Sequence, residues 1–151
     1  MADSSIQSIV VAAPPSEVAA VITDFRRYPE WVSAVKSVEV IEEYEDGYAS
    51  EVSFVLDAGV LKDSYTLRYT YSNDHRRIEW TLAESSQIQK AQRGSYDIQA
   101  NSDGTSTVVY ELSVELAIPM LGMLRRKAEK MIMDTALKEL KKRVESLTGP
   151  N

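Results

Sequence analysis

"DFRRYPEWVSAVKSVEVIEE", residues 24–43, changes character twice. A polar helix end runs into Tyr28-Pro29-Glu30-Trp31, and this aromatic corner gives way to the alternating Val38 and Val40 of a strand. The residue before a proline avoids the helical well. Tyr28-Pro29 is therefore expected to end one helical region, with a short second helix over about Glu30 to Ala34. Upstream, Ile9, Val11 and Ala13 alternate as a first strand, and Pro14-Pro15-Ser16 stops it. Ser16 is the expected cap of a helix whose apolar face is Val18, Val21 and Ile22.

Downstream, strands follow at close intervals. Glu45-Asp46-Gly47 is a hairpin turn. Val52, Phe54 and Leu56 alternate after it, until Ala58-Gly59 breaks the pattern. Tyr65, Leu67, Tyr69 and Tyr71 hold a period of two. The turn Ser72-Asn73-Asp74-His75 leads to Ile78, Trp80 and Leu82, and then to Ile88, Lys90, Gln92, Gly94, Tyr96 and Ile98. After Asn101 to Gly104, Val108, Tyr110, Leu112, Val114 and Leu116 form the last strand. From Pro119 the spacing becomes helical, through Leu121, Leu124, Ala128, Met131, Ile132, Leu137, Leu140, Val144 and Leu147, and Gly149-Pro150 closes it. At 1.5 Å per residue this helix is roughly 40 Å long. Its apolar stripe needs a sheet to lie on. The expected fold class is α+β: a curved seven-stranded antiparallel sheet wrapped around a long C-terminal helix, with two short helices after the first strand. A single helix seldom fills so large a concave face, so a cavity is expected between them.

The 151 residues are read as one domain, 1–151, large enough to bury a core. There is no cysteine and one histidine, which leaves no disulfide framework and no soft-metal site. The start, MADSSIQSIVVAAPP, carries no basic region, so a cytoplasmic location is the expectation. The longest later apolar run, residues 117–124, is far short of a membrane span. The net charge is −6, and Pro119 to Leu147 holds eight Lys or Arg against four Asp or Glu. An acidic body argues against a nucleic-acid partner, and none is expected. The basic stripe after "AIPMLGML" leaves contact with an anionic membrane as a secondary reading behind a solvated helix face.

Three stretches carry the likeness to a known family: "VVAAPPSEVAAVITDFRRYPEWVSAVKSVEVIE" (10–42), "RGSYDIQ" (93–99) with "DGTSTVVYELSVEL" (103–116), and the terminal helix ending "LKELKKRVE" (137–145). Together they resemble the polyketide cyclase/dehydrase and lipid-transport superfamily, the helix-grip fold of START domains and the birch-pollen allergen. The resemblance covers nearly the whole chain. It implies that the "DFRRYPEW" corner closes one end of the grip, and that an apolar small-molecule pocket lies inside. It implies no particular reaction, because no catalytic motif is common to the superfamily.

Candidate chemistry is sparse. His75 lies in a turn and is expected at the surface. Glu42, Glu43, Glu45 and Asp46 lack the spacing of a calcium loop. No glycine-rich phosphate loop is present, and no motif calls for a cofactor. What remains is the inward face. The expected ligand-binding residues are Phe54, Leu56, Tyr65, Leu67, Tyr69, Tyr71, Trp80, Leu82, Lys90, Gln92, Tyr96, Tyr110 and Leu112 of the sheet, with Met131 of the helix. Lys90 and Gln92 are the polar exceptions: each needs a partner if it faces inward, and a slip of one residue would send both to solvent. Arg68 and Arg93 fall on the outer face. The function expected is binding or transport of a hydrophobic small molecule (a lipid, quinone or polyketide-like compound). The alternative is an aromatic cyclase or dehydratase using Tyr or Lys acid-base residues in the same cavity; no catalytic residue is nominated.

Overall fold

In the computed structural model, which describes residues 4–57, 59, 62–117 and 122–148, every alternating segment forms a strand. The order is β1 (Ser5–Val11), α1 (Pro15–Thr23), a 3-10 turn (Phe25–Arg27), α2 (Tyr28–Trp31), β2 (Val35–Glu43), β3 (Ala49–Asp57), β4 (Lys62–Tyr71), β5 (Arg77–Leu82), β6 (Gln89–Ala100), β7 (Ser106–Leu116) and α3 (Gly122–Thr148). All strand pairs are antiparallel, and the sheet runs β1-β7-β6-β5-β4-β3-β2. Consecutive hairpins build β2 to β7, and β1 closes the far edge against β7. This is the seven-stranded antiparallel sheet with a long terminal helix that the alternation implied.

Local chemistry sets the turns. Gly47 and Gly104 have φ of 90° and 89°, a conformation that costs a side chain but not a glycine. The Asp46 carboxylate accepts from the Tyr48 N–H at 3.0 Å, and Asp103 accepts from Thr105 N at the same distance, so each hairpin carries its own clamp.

Two expectations at the aromatic corner need correction. Proline does not end the helix there; it starts one. Pro29 sits in the first turn of α2, where a missing N–H breaks no hydrogen bond, and Tyr28 is helical at φ −51°, ψ −41°. The second helix is therefore Tyr28–Trp31, not Glu30 to Ala34. Likewise Pro14, not Ser16, holds the cap position of α1, and no side chain caps it.

The core lies on the concave face. Val52, Leu67, Tyr69, Ile78, Trp80, Val108, Tyr110 and Leu112 are buried there, and Val18, Ile22 and Phe25 close one end. Phe25 anchors the corner. Its ring lies 4.6 Å from Tyr69 and 5.2 Å from Tyr28, while the Tyr28 hydroxyl donates to the Ile22 carbonyl.

Helix α3 packs on β1, β7 and α1, at one side of the sheet. Its buried line is Glu129, Met133, Leu137, Leu140 and Val144, at spacings of three and four. The expected stripe differs in its first half: Leu124 and Met131, with Leu147 at the other end, are exposed. Leu121 and Pro119 lie outside the described residues. Glu129, only 4% exposed, takes a core position for a definite reason. It sits beside the start of β1, where Ser5 faces Leu112 of β7. There its carboxylate accepts from Val114 N at 3.0 Å and from the Ser5 hydroxyl at 3.1 Å.

Candidate functional site

Because α3 lies toward β1 and β7, the middle of the concave face is left uncovered. A cavity of about 430 Å³ occupies it. Its floor is the sheet: Phe54, Leu56, Tyr65, Leu67, Tyr69, Trp80, Gln92, Tyr96 and Tyr110. Its wall is a second stripe of α3, with Ala128, Met131, Ile132, Thr135, Ala136 and Glu139. One end is the aromatic corner, with Tyr28 and Trp31. The cavity is less enclosed than a helix laid across the sheet would make it, because Met131, 56% exposed, and the exposed Ser33 stand at its rim.

Ten of the fourteen expected ligand-binding residues line this space: Phe54, Leu56, Tyr65, Leu67, Tyr69, Trp80, Gln92, Tyr96, Tyr110 and Met131. Four do not. Leu112 is buried core, and Leu82 packs against the core. Tyr71 belongs to the other end of the sheet, where its hydroxyl donates to the Ala49 carbonyl at 2.7 Å and its ring meets Tyr48 and His75. Lys90 is exposed. The reason is a β-bulge: Gln89 pairs with Leu116 and Ala91 with Glu115, so Lys90 is the extra residue and the alternation reverses there. Neither reading of the Lys90 and Gln92 pair held as a unit. Lys90 faces solvent, Gln92 faces the cavity, and Gln89, a residue the pattern put outside, is buried with only 4% exposed. His75 departs from a plain surface residue: it has φ +58° and stacks on Tyr48 with ring centroids 3.9 Å apart.

The cavity is apolar in body and polar at its tips. Tyr96 and Tyr110 stand 4.6 Å apart, and Trp80 lies 5.3 and 5.8 Å from them. Among the described residues no protein group pairs with the hydroxyls of Tyr65, Tyr69, Tyr96 or Tyr110. Burial pushes all four, and Tyr28, well above the ordinary phenol range; neighbouring tyrosines add to this, and the Asp63 carboxylate adds to it for Tyr65. They are neutral hydrogen-bonding groups, not phenolates. Two contacts tie the corner to the helix across the rim. Glu139 accepts from Ser33 N at 3.2 and 3.3 Å, and Arg143 pairs with Glu30 at 2.9 Å. Of the α3 side the sequence nominated Met131 alone, and Tyr28 was not named as a wall residue; the spacing Ala128, Ile132, Thr135, Glu139 was the available signal.

A larger hollow of about 740 Å³ lies over the outer face, edged by Glu51, Arg68, Thr81, Arg93 and Ser113. It is an open polar surface, on which Arg68 is bound by Glu51 at 3.0 Å. Among the described residues no group of His, Asp or Glu is arranged to hold a metal, and no helix is long and apolar enough to cross a membrane.

The sequence profile of the family described as "Polyketide cyclase / dehydrase and lipid transport" matches residues 11–141. The chain belongs to this family. Solved structures agree with the fold of a polyketide cyclase/dehydrase and lipid-transport family member. A START superfamily protein from Mycobacterium smegmatis superposes with a TM-score of 0.89 at 21% identity, over 96% of this chain and 99% of that one. Zhui aromatase/cyclase from Streptomyces sp. R1128 gives 0.81 at 17% identity, over 96% and 94%. The di-domain aromatase/cyclase BexL of the BE-7585A pathway gives 0.79 at 19% identity, over 98% of this chain and 48% of that one. At these identities the likeness is one of fold. No curated protein sequence matches this chain.

Proposed function

We propose that this family member binds or carries a hydrophobic small molecule (a lipid, quinone or polyketide-like compound) in the cavity under α3. The observation that carries the reading is the composition of that cavity: about 430 Å³ walled by aromatic rings and aliphatic side chains, within the range of small-molecule sites. Its polar groups are tips on apolar bodies, with Gln92 held between Trp80 and Gln89, as suits a site that orients a mostly apolar guest.

A cyclase or dehydratase would need an acid or base aimed into the same space. The cavity's titratable side chains offer little. The phenols are held neutral by burial, Lys90 faces solvent, both Glu139 oxygens receive Ser33 N–H, and the Asp57 carboxylate at the rim accepts from Gly59 N at 3.0 Å and pairs with Lys62 at 3.9 Å. Carriage is the reading these groups favour. Organic extraction of the purified protein followed by mass spectrometry tests it: a neutral apolar compound at about one per chain is expected. Only polar metabolites, or turnover of a polyketide-like substrate that a single Tyr→Phe change abolishes with binding intact, would overturn it.

A further inference from the structure

The bulge at Lys90 builds a hydrogen-bonded chain that runs from the cavity floor into the protein. Trp80 Nε1 donates to Gln92 Oε1 at 2.9 Å, Gln92 Nε2 donates to Gln89 Oε1 at 2.6 Å, and Gln89 Nε2 donates to Asp63 Oδ2 at 3.0 Å. The same Asp63 oxygen accepts from the Ser86 hydroxyl at 2.6 Å, and its other oxygen accepts from Ser64 N. Strand β5 ends at Leu82, and this chain spans the gap it leaves between β4 and β6.

The direction of the chain is set by chemistry. An indole N–H can only donate, and an ionised carboxylate can only accept. With a donor-only group at one end and an acceptor-only group at the other, both amides have one orientation that satisfies all three bonds. Gln92 must turn its oxygen to Trp80 and its nitrogen to Gln89. A carboxamide nitrogen carries two hydrogens, and Gln89 uses one. Gln92 lines the cavity, so its second N–H is left for a guest. Beside it stand the unpartnered hydroxyls of Tyr96 and Tyr110. A structural polar pair would need no opening onto the cavity; a half-buried, fully oriented amide with a spare donor on the wall is a recognition element.

We infer that Gln92 is a specificity-determining residue that donates a hydrogen bond to a carbonyl-type oxygen on the otherwise apolar ligand, and that Gln89 is a positioning residue acting through it. This rests on the cavity being a ligand site. The ligand class it selects is a ketone, quinone or ester-bearing apolar molecule, over a plain hydrocarbon of the same shape.

The test uses two neutral dyes: propionyl-dimethylaminonaphthalene, whose emission moves to longer wavelength when its carbonyl accepts a hydrogen bond, and the analogue with that carbonyl replaced by methylene. The wild-type chain binds both, the ketone more tightly. Gln92→Met keeps the length of the side chain and removes its donors. It weakens the ketone about tenfold, the measure of one net hydrogen bond, and leaves the methylene analogue within about twofold. Gln89→Met moves the bound ketone's emission to shorter wavelength and weakens it in the same selective way without touching the ligand. If Gln89→Met loses its fold because Asp63 is short of a donor, Gln92→Met, which leaves Gln89 on Asp63, still decides. Equal weakening of both dyes, or no change for the ketone, overturns the inference while leaving the cavity reading in place. Failure of the wild-type chain to bind either dye overturns the cavity reading itself.

Discussion

Adding one methyl group at Gly94 probes how tightly the cavity floor is built. Gly94 pairs with Trp80 across β5 and β6, and the indole lies directly over it. A Cβ at this position would stand 2.3 Å from Trp80 Cζ2, 2.5 Å from Cε2 and 2.8 Å from Nε1. The ring must move by about an ångström to restore ordinary contact distances. Tyr69, Tyr96 and Tyr110 flank it, so the direction left open is into the cavity. That movement pulls Nε1 off Gln92, at a cost of about 1 kcal/mol for the lost bond. Overpacking adds about 1–3 kcal/mol. Gly94→Ala is therefore expected to destabilise by about 3 kcal/mol, which for a chain of this size lowers Tm by roughly 6–12 °C. Urea unfolding followed by far-UV circular dichroism, with a thermal scan beside it, measures both. Loss of affinity for an apolar dye should accompany the destabilisation, because the indole now occupies ligand space. A variant within about 0.5 kcal/mol of wild type, the range of a bland surface change, would refute the packing described for Trp80.

Glu129→Ala strips the acceptor from Val114 N and Ser5, and an unpaired buried amide makes it cost about 1–3 kcal/mol; Glu129→Gln, which keeps one acceptor, should cost less, and urea midpoints rank the two. Alkaline pH should unfold the chain steeply. Tyr28, Tyr65, Tyr69, Tyr96 and Tyr110 have raised pKa values, so their stabilisation is full below the unfolded value near 10 and is lost above it, at most about 1.4 kcal/mol per group per pH unit. Tyrosinate absorbance rising together with loss of ellipticity above that pH checks this; ionisation of these rings with the fold intact would contradict it. Lys90→Met should leave dye affinity unchanged, since its side chain lies outside the cavity, whereas single Tyr→Phe changes at positions 65, 69, 96 or 110 should shift affinity by no more than about 1–2 kcal/mol.

The fold was legible because each strand states its own parity. Tyr65 to Tyr71 and Val108 to Leu116 alternate cleanly, and glycine turns separate the strands, so sheet and terminal helix could be read before any contact was known. What was not legible is what a one-residue event or a tertiary demand decides. The bulge at Lys90 has no residue type of its own. It turned Gln89 inward and Lys90 outward within a run that looked continuous. Glu129 reads as a polar helix position, yet it is buried because its carboxylate accepts from the Val114 amide of β7 and the Ser5 hydroxyl of β1. The helix carries two apolar stripes, one on the sheet and one on the cavity, and a single list of its apolar residues merged them. The aromatic corner reads as a closure of the grip, with ligand contact by Trp31 as the lesser reading, yet the Tyr28 ring that packs on Phe25 also faces the empty space beside Trp31.

The chain has two tryptophans, Trp31 and Trp80, and both line the cavity. Titration with bromonaphthalene, a neutral apolar molecule whose heavy atom quenches indole on contact, therefore reads the proposed site directly. The account predicts saturable quenching of both rings at one equivalent, lost in an Ala136→Phe variant that fills the cavity but keeps its fold. Quenching that rises linearly without saturation, and does so equally in the variant, would contradict it.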